Sequence, residues 1–325
     1  MLQAFIEIFT NPNFYANVVA VTPPILLAAL GCAIAQKASE TNMGMEGIMM
    51  MSSFCGTLVA AYVNGPNPWL GLLAGLIVGA VLGYLVAVFN LKLQVDIVLV
   101  GIAMNLLGSG LTAFLLPVVT PNHDRSSTNS LQSGLLPQIK IPVLSDIPII
   151  GNILFNQNVL TYLSYILIAV MAFLVFKTKL GLRIRAVGEN ANAAESVGIS
   201  STKIKTIALI ISGAFGGLAG VFMSSVYLSY FATGAVAGRG FIGLAACSMG
   251  EANPIPTALT SILFGFFYAL SNFARTTGIS DNIIKMWPYV ATMVGLVIYS
   301  VNKANAEKKR LAGLAADEEA SKAQQ

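Results

Sequence analysis

The sequence predicts an all-α polytopic transmembrane helical bundle of about nine crossings, one of them short and re-entrant. Three observations carry this. The chain of 325 residues is 56% hydrophobic and only 10% charged, against roughly 25% charged residues in soluble domains. Its mean hydropathy is +0.76. Apolar runs close to the ~20 residues that a helix needs to cross hydrocarbon recur along the whole chain.

Taken in order, residues 1–13 set Leu2, Phe5, Ile6 and Phe9 on one helical face opposite Gln3 and Glu7, the pattern of a short interfacial helix. The membrane domain occupies 14–302, with long runs at about 14–36, 43–63, 69–90, 96–116, 159–176, 206–230, 255–273 and 283–301. The piece Arg239–Glu251 is too short to span as an ordinary helix and is read as a ninth crossing whose ends neighbouring helices bury. Residues 117–158 form an external loop, polar at first and then a short strand or interfacial segment. Residues 303–325 are a polar cytoplasmic tail.

Basic residues set the orientation, because they flank membrane spans on the cytoplasmic side. The stretch 177–205 alone carries Lys177, Lys179, Arg183, Arg185, Lys203 and Lys205, a third of the 18 basic residues. Placing it inside with Lys37, Lys92 and the tail leaves Arg125, Lys140, Arg239, Arg275 and Lys285 outside. That requires an outside N-terminus, a cytoplasmic C-terminus and an odd number of crossings, which the short ninth segment supplies.

Within 177–205 a short helix is expected over Asn190–Val197. Asn190 or Asn192 can cap its start, Ala191, Ala193 and Ala194 favour helix, and Gly198 can end it. Asn192-Ala-Ala-Glu195 also fits a capping box. A small alanine-rich helix on the cytoplasmic face reads as a docking element, and a bulky residue at Ala194 is expected to spoil the fit to a partner.

Other signals lie inside the spans. Gly71, Gly75, Gly79 and Gly83 recur every four residues, and Gly213, Gly216, Gly217 and Gly220 repeat the theme, so close helix packing is expected. Pro23-Pro24 marks a kink in the first span. In Asn42–Gly47, Gly44 and Gly47 permit a helix break, and Glu46 must face a wet cavity, an interface or a hydrogen-bond donor. Asn105, midway along its span, reads as interhelical glue or as a substrate contact.

Several classes are excluded. The basic residues do not interleave with aromatics, so nucleic acid is no partner. Three scattered cysteines, Cys32, Cys55 and Cys247, make neither a disulfide framework nor a metal set. His123 is the only histidine, and no Gly-Lys pair exists for a phosphate-binding loop. The chain is therefore read as no enzyme and as needing no cofactor or metal of its own; if ATP drives it, another subunit hydrolyses it. An ion-coupled secondary transporter is the rival class, but Glu46 and Asp96 are the only acids near span interiors.

Three blocks carry a family likeness. GLRIRAVGENANAAESVGISSTKIK resembles the cytoplasmic coupling loop of permease subunits from bacterial ABC importers, in the branch serving ribose, branched-chain amino acids and nucleosides. NMGMEGIMMMSSF resembles the early signature of the nucleoside, basic-membrane-lipoprotein-linked permeases, and GRGFIGLAACSMGEANPIPTAL their segment after the sixth long span. The likeness runs from about Thr22 to Tyr299, in the family's order. Ser248, Met249, Glu251 and Ala252 depart from it, standing where nucleoside members more often have bulky apolar and basic or aromatic residues.

The resemblance implies a multi-pass subunit of the bacterial cell membrane. Its partners would be a second permease subunit, a cytoplasmic ABC ATPase that uses the ATP, and an extracellular substrate-binding lipoprotein. It implies coupling to the ATPase through Gly188, Glu189, Asn190, Asn192, Ala193, Ala194, Glu195 and Gly198. A nucleoside, or alternatively a simple sugar such as ribose, would pass Asn42, Glu46 and Asn105, with Phe241 offering a face to a base.

Overall fold

The computed structural model describes residues 9–62, 67–120, 131–132, 135–140, 156–274 and 286–302, together with 304, 305 and 308. The readings made for residues 1–8, for the central part of the external loop with His123, and for most of the tail lie outside these residues.

The first helix, α1 (Pro12–Lys37), starts with Pro12 in its first turn and Asn11 as cap, whose side chain accepts from the Asn13 N–H at 2.9 Å. Every residue from Val21 to Ala35 is buried. A helix apolar on all sides belongs inside a bundle, and α1 is the central post. Pro23 and Pro24 sit within it, leaving the carbonyls four residues earlier without their usual donors. The Tyr165 hydroxyl donates to one of these, Val19, at 3.4 Å.

Next come α2 (Met45–Tyr62), α3 (Pro68–Ala87) and α4 (Ile97–Val119). Asn67 caps α3 and Asp96 caps α4, each accepting from two backbone N–H groups of the first turn. A π-turn, Val88–Lys92, closes α3. Helix α4 runs through Pro117 to Val119, so the loop begins three residues later than the apolar run suggested.

Short strands β1 (Leu131–Gln132), β2 (Gln138–Lys140) and β3 (Asn156–Asn158) follow, and β2 pairs with β3 antiparallel, Gln138 opposite Asn158. Then α5 (Val159–Lys177) leads into α6 (Lys179–Glu189) and the six-residue α7 (Ala191–Ser196). Helix α8 (Ser201–Phe222) continues as a π-turn, Met223–Tyr227, to β4 (Tyr230–Phe231), which pairs with β1. The short α9 (Arg239–Met249), then α10 (Pro254–Ala274) and α11 (286–302) complete the described chain.

Helices α5, α8, α9 and α10 all pack on α1. The two glycine stripes meet, α3 against α8. A Cβ on Gly79 would lie 2.7 Å from Gly217 Cα and 2.8 Å from Gly217 N, so backbone rides directly on backbone. Small residues allow that approach in lipid, where packing rather than hydrophobicity drives helix association. The far sides of α3, α4 and α5 expose Leu73, Ile77, Leu99, Leu106, Ile166 and Phe173, an apolar belt.

Among the described residues, six helical segments are long and apolar enough to cross a membrane: 12–37, 68–92, 97–119, 159–177, 201–227 and 254–274. The other three expected passages coincide with α2, α9 and α11. Helix α2 carries Glu46, Ser52, Ser53 and Thr57 among its apolar residues, while α9, with 11 residues, is shorter than a span.

Candidate functional site

Helix α2 begins inside the bundle. After α1, Ser39 turns the chain with a left-handed φ of 63°, and an extended segment climbs to Met45. Along it Asn42 is wholly buried and donates to Ser212 Oγ at 3.0 Å. Ser212 stands eleven residues into α8, about 16 Å of helical rise. The break thus lies opposite the middle of a spanning helix, where irregular backbone is tolerated only if protein or a wet cavity covers it.

Side chains cover it. Asn42 Oδ1 accepts from the Gly44 N–H at 3.2 Å. Asn105 of α4 accepts from the Gly47 N–H at 2.8 Å and donates to the Met43 carbonyl at 2.9 Å. Its two-handed amide therefore closes the first turn of α2. Glu46 reaches the start of α9, its two carboxylate oxygens accepting from the Gly238 and Gly240 N–H groups, both at 2.8 Å. Those N–H groups are orphan donors at the positive end of a helix, where a carboxylate is stabilised. A Cβ on Gly240 would stand 2.8 Å from Glu46 Cα, so glycine lets the helix end come this close.

The basic-residue count sets Arg239 on the outer side of the membrane, beside a span end and not within the bundle. Instead it is 3% exposed, its guanidinium 4.2 Å from the Tyr268 ring centre and 4.9 Å from that of Tyr227. Its Nη1 donates to the Val236 carbonyl at 3.0 Å, and Tyr289 of α11 donates to the Ala237 carbonyl at 2.8 Å. Counting charges cannot see that two aromatic faces and a nearby carboxylate receive this cation inside the bundle. Phe241, two residues on, is half-exposed on the open side of α9. The structure therefore gathers Asn42, Glu46, Asn105 and Phe241 around one junction of α2, α4, α8 and α9. The first three hydrogen-bond within the chain; Phe241 faces outward.

The loop 177–205 is more helical than expected. Helix α6, capped by Thr178, occupies the charged stretch ahead of the one short helix expected there. It buries Gly181, Ile184 and Val187, exposes Lys179, Arg183 and Glu189, and lays Arg185 over the Phe176 ring at 5.6 Å. Gly188 lies so close to the Lys37 carbonyl that no side chain fits there. Of the two candidate caps for α7, Asn190 is used, accepting from the Ala193 N–H at 3.0 Å; Asn192 is inside the helix, so the capping box is not formed.

Gly198, at φ 82°, ends α7: its N–H donates to the Glu195 carbonyl at 2.9 Å, and Ile199 N–H to that of Ala194 at 3.0 Å, a Schellman motif. Glu189, Asn190, Asn192, Ala193, Glu195 and Gly198 are exposed. Ala194 is buried, in one apolar cluster with Ile184, Val187 and Ile204 of its own chain, so bulk there disturbs this chain's packing first. Val197, 73% exposed, is the apolar tip that reading the helix alone overlooked.

A membrane bundle with a helix that starts at mid-depth and a short, well-capped helix outside the spans has the build of a transport subunit. Residues 14–301 match the family described as branched-chain amino acid transport system / permease component. The chain belongs to that family. The permease is 33% identical over 303 residues to the nucleoside ABC transporter permease protein NupC of Lactococcus lactis subsp. cremoris, covering 90% of this chain and 93% of the relative.

The same organism's nucleoside ABC transporter permease protein NupB is 26% identical over 281 residues, 81% of this permease and 73% of NupB. The putative glucose ABC transporter permease protein TsgC13 of Haloferax volcanii is 32% identical over 252 residues, 76% of this permease and 73% of its own length. No solved structure matches the permease. Sequence reading missed Arg239, Tyr227, Tyr268 and Tyr289 around the junction; a basic residue beginning a glycine-rich apolar stretch was the signal available.

Proposed function

We propose that this permease forms the membrane pathway of an ATP-driven ABC importer for nucleosides. It works beside a second permease subunit, a cytoplasmic ATPase and an extracellular substrate-binding lipoprotein. Likeness to NupC over nearly the full length of both chains carries the reading. The occurrence of NupB and NupC as two nucleoside permeases in one organism supports the second subunit. In this reading α2, α9 and α11 add to the six long spans to make nine crossings, with the N-terminus outside and the C-terminus cytoplasmic.

The junction suits a neutral substrate. Both Glu46 oxygens are held by backbone donors and Arg239 lies between two rings, so neither charge is left free to bind a nucleoside too tightly to leave. Phe241 offers an aromatic face to a base. Asn190, Asn192, Ala193, Glu195 and Gly198, with Val197 at the tip, present the coupling surface to the ATPase; Gly188 and Ala194 seat it on the bundle. A simple sugar is the second reading, favoured by the likeness to TsgC13. The test is reconstitution of both permeases, the ATPase and the receptor in liposomes. Guanosine, adenosine or uridine should stimulate ATP hydrolysis and accumulate in the lumen; uptake of glucose or ribose with no nucleoside uptake would overturn the substrate assignment.

A further inference from the structure

The cytoplasmic end of the bundle holds a buried ion pair that neither the pathway nor the docking surface uses. Lys205 Nζ lies 2.8 Å from Glu40 Oε1, and Asn90 Nδ2 donates to Glu40 Oε2 at 2.8 Å. Glu40 is 8% exposed. Three parts of the chain therefore meet on one carboxylate: the segment joining α1 to α2, the π-turn closing α3, and the second turn of α8.

We infer that Glu40 and Lys205 are positioning residues that carry movement of the cytoplasmic loop to the break in α2. The inference rests on the ATP-driven reading above. Upstream, α7 is tied to α8 by Ser201, whose hydroxyl donates to the Ala191 carbonyl at 3.0 Å. Lys205 follows one turn later on the same helix. Downstream, Glu40 is two residues from Asn42 and six from Glu46, with no helix between to absorb a displacement.

The segment is anchored at both ends. The Glu40 N–H donates to the Ala35 carbonyl at 3.0 Å, and Asn42 holds Ser212 at 3.0 Å. Helix α8 thus grips this segment twice, at Lys205 and at Ser212, while α6 presses on its root through Gly188 against Lys37. A shift of α7 relative to α1 must load the ion pair before it reaches the junction at Glu46 and α9. A buried pair adds little stability over an apolar pair of the same shape. What it adds here is a short, directional link that keeps its partners in register.

The experiment uses the complete reconstituted importer and reads nucleoside accumulated per ATP hydrolysed. The variants are Glu40→Gln, Lys205→Met and the exchange Glu40→Lys with Lys205→Glu. The inference expects both single variants to assemble with the ATPase and hydrolyse ATP within about twofold of the parent, while nucleoside carried per ATP falls at least fivefold. The exchange should recover at least half of the parent ratio, a rescue that lost packing does not predict. A parent ratio in either assembled single variant would overturn the inference, as would an assembled exchange variant that recovers nothing. Failure of both single variants to assemble would make the pair a fold element only and would equally overturn it. An unmodified importer that moves a sugar and no nucleoside refutes the substrate reading alone; the ratio is then read with that sugar.

Discussion

Replacing Gly79 with alanine puts a methyl group where two backbones already touch. The new Cβ would lie 2.7 Å from Gly217 Cα and 2.8 Å from Gly217 N, and it would overlap the Gly213 carbonyl. Carbon atoms pack at about 3.5–4.0 Å, so α3 and α8 must part by about 1 Å at this point. None of the atoms met belongs to a side chain that could swing aside. A gap of 0.5–1 Å forfeits about a quarter to a half of each dispersion contact along the seam, and overpacking of this kind costs about 1–3 kcal/mol.

Alanine also gains about 1 kcal/mol of helix propensity over glycine, and a control removes that gain from the comparison. A Cβ on Gly110 of α4 meets nothing within 4 Å, so Gly110→Ala carries the propensity gain alone. The assay is thermal unfolding of each purified variant in one detergent. At about 2–4 °C per kcal/mol for chains of 150–250 residues, Gly79→Ala should melt about 2–12 °C below Gly110→Ala. Equal or higher stability of Gly79→Ala would refute direct backbone contact across this seam.

Glu46→Ala leaves the Gly238 and Gly240 N–H groups without their acceptor, at about 1–3 kcal/mol each. Melting temperatures should fall in the order parent, Glu46→Gln, Glu46→Ala, and an unchanged alanine variant would refute the capping role. Ala194→Arg should lower the yield of folded permease because that site is internal, whereas Val197→Asp should leave yield intact and reduce ATPase co-purification; the reverse pattern would invert the two assignments. Tyr165→Phe should cost about 0.5–1.5 kcal/mol by removing the donor to the Val19 carbonyl, measured by the same melting assay. In a background lacking Cys32, Cys55 and Cys247, Val197→Cys should react with an impermeant thiol reagent only after cells are opened, and Ser127→Cys on intact cells; labelling the other way round would reverse the topology.

The long helices were legible because apolar length alone specifies them, and the glycine stripes as close-packing faces because four-residue spacing lines them up, though not that the two stripes meet each other. The break in α2 was legible as a location: two glycines and an acid in an apolar run mark trouble for a continuous helix. Its solution was not. Glu46 finds its donors 192 and 194 residues away, and Asn42 finds Ser212 170 residues away, separations at which local patterns carry no information. The choice between Asn190 and Asn192 escaped reading for another reason. Both satisfy local capping chemistry, and tertiary packing, which turns Ala194 inward, selects the first. Helix α6 was hidden by its charges: Lys179, Arg183 and Glu189 are exposed, while only three positions, Gly181, Ile184 and Val187, are buried.

Arg239 bears on how the chain is assembled as it is made. It is the first residue of α9, and a cation inside a membrane bundle costs free energy unless partners receive it. One of the rings that cover the guanidinium, Tyr227, precedes α9 in the chain; the nearer one, Tyr268, lies in α10, and Tyr289, which holds the Ala237 carbonyl, lies in α11. The seat of Arg239 is therefore complete only once α10 and α11 have joined the bundle, so α9 is secured by helices that follow it in the chain.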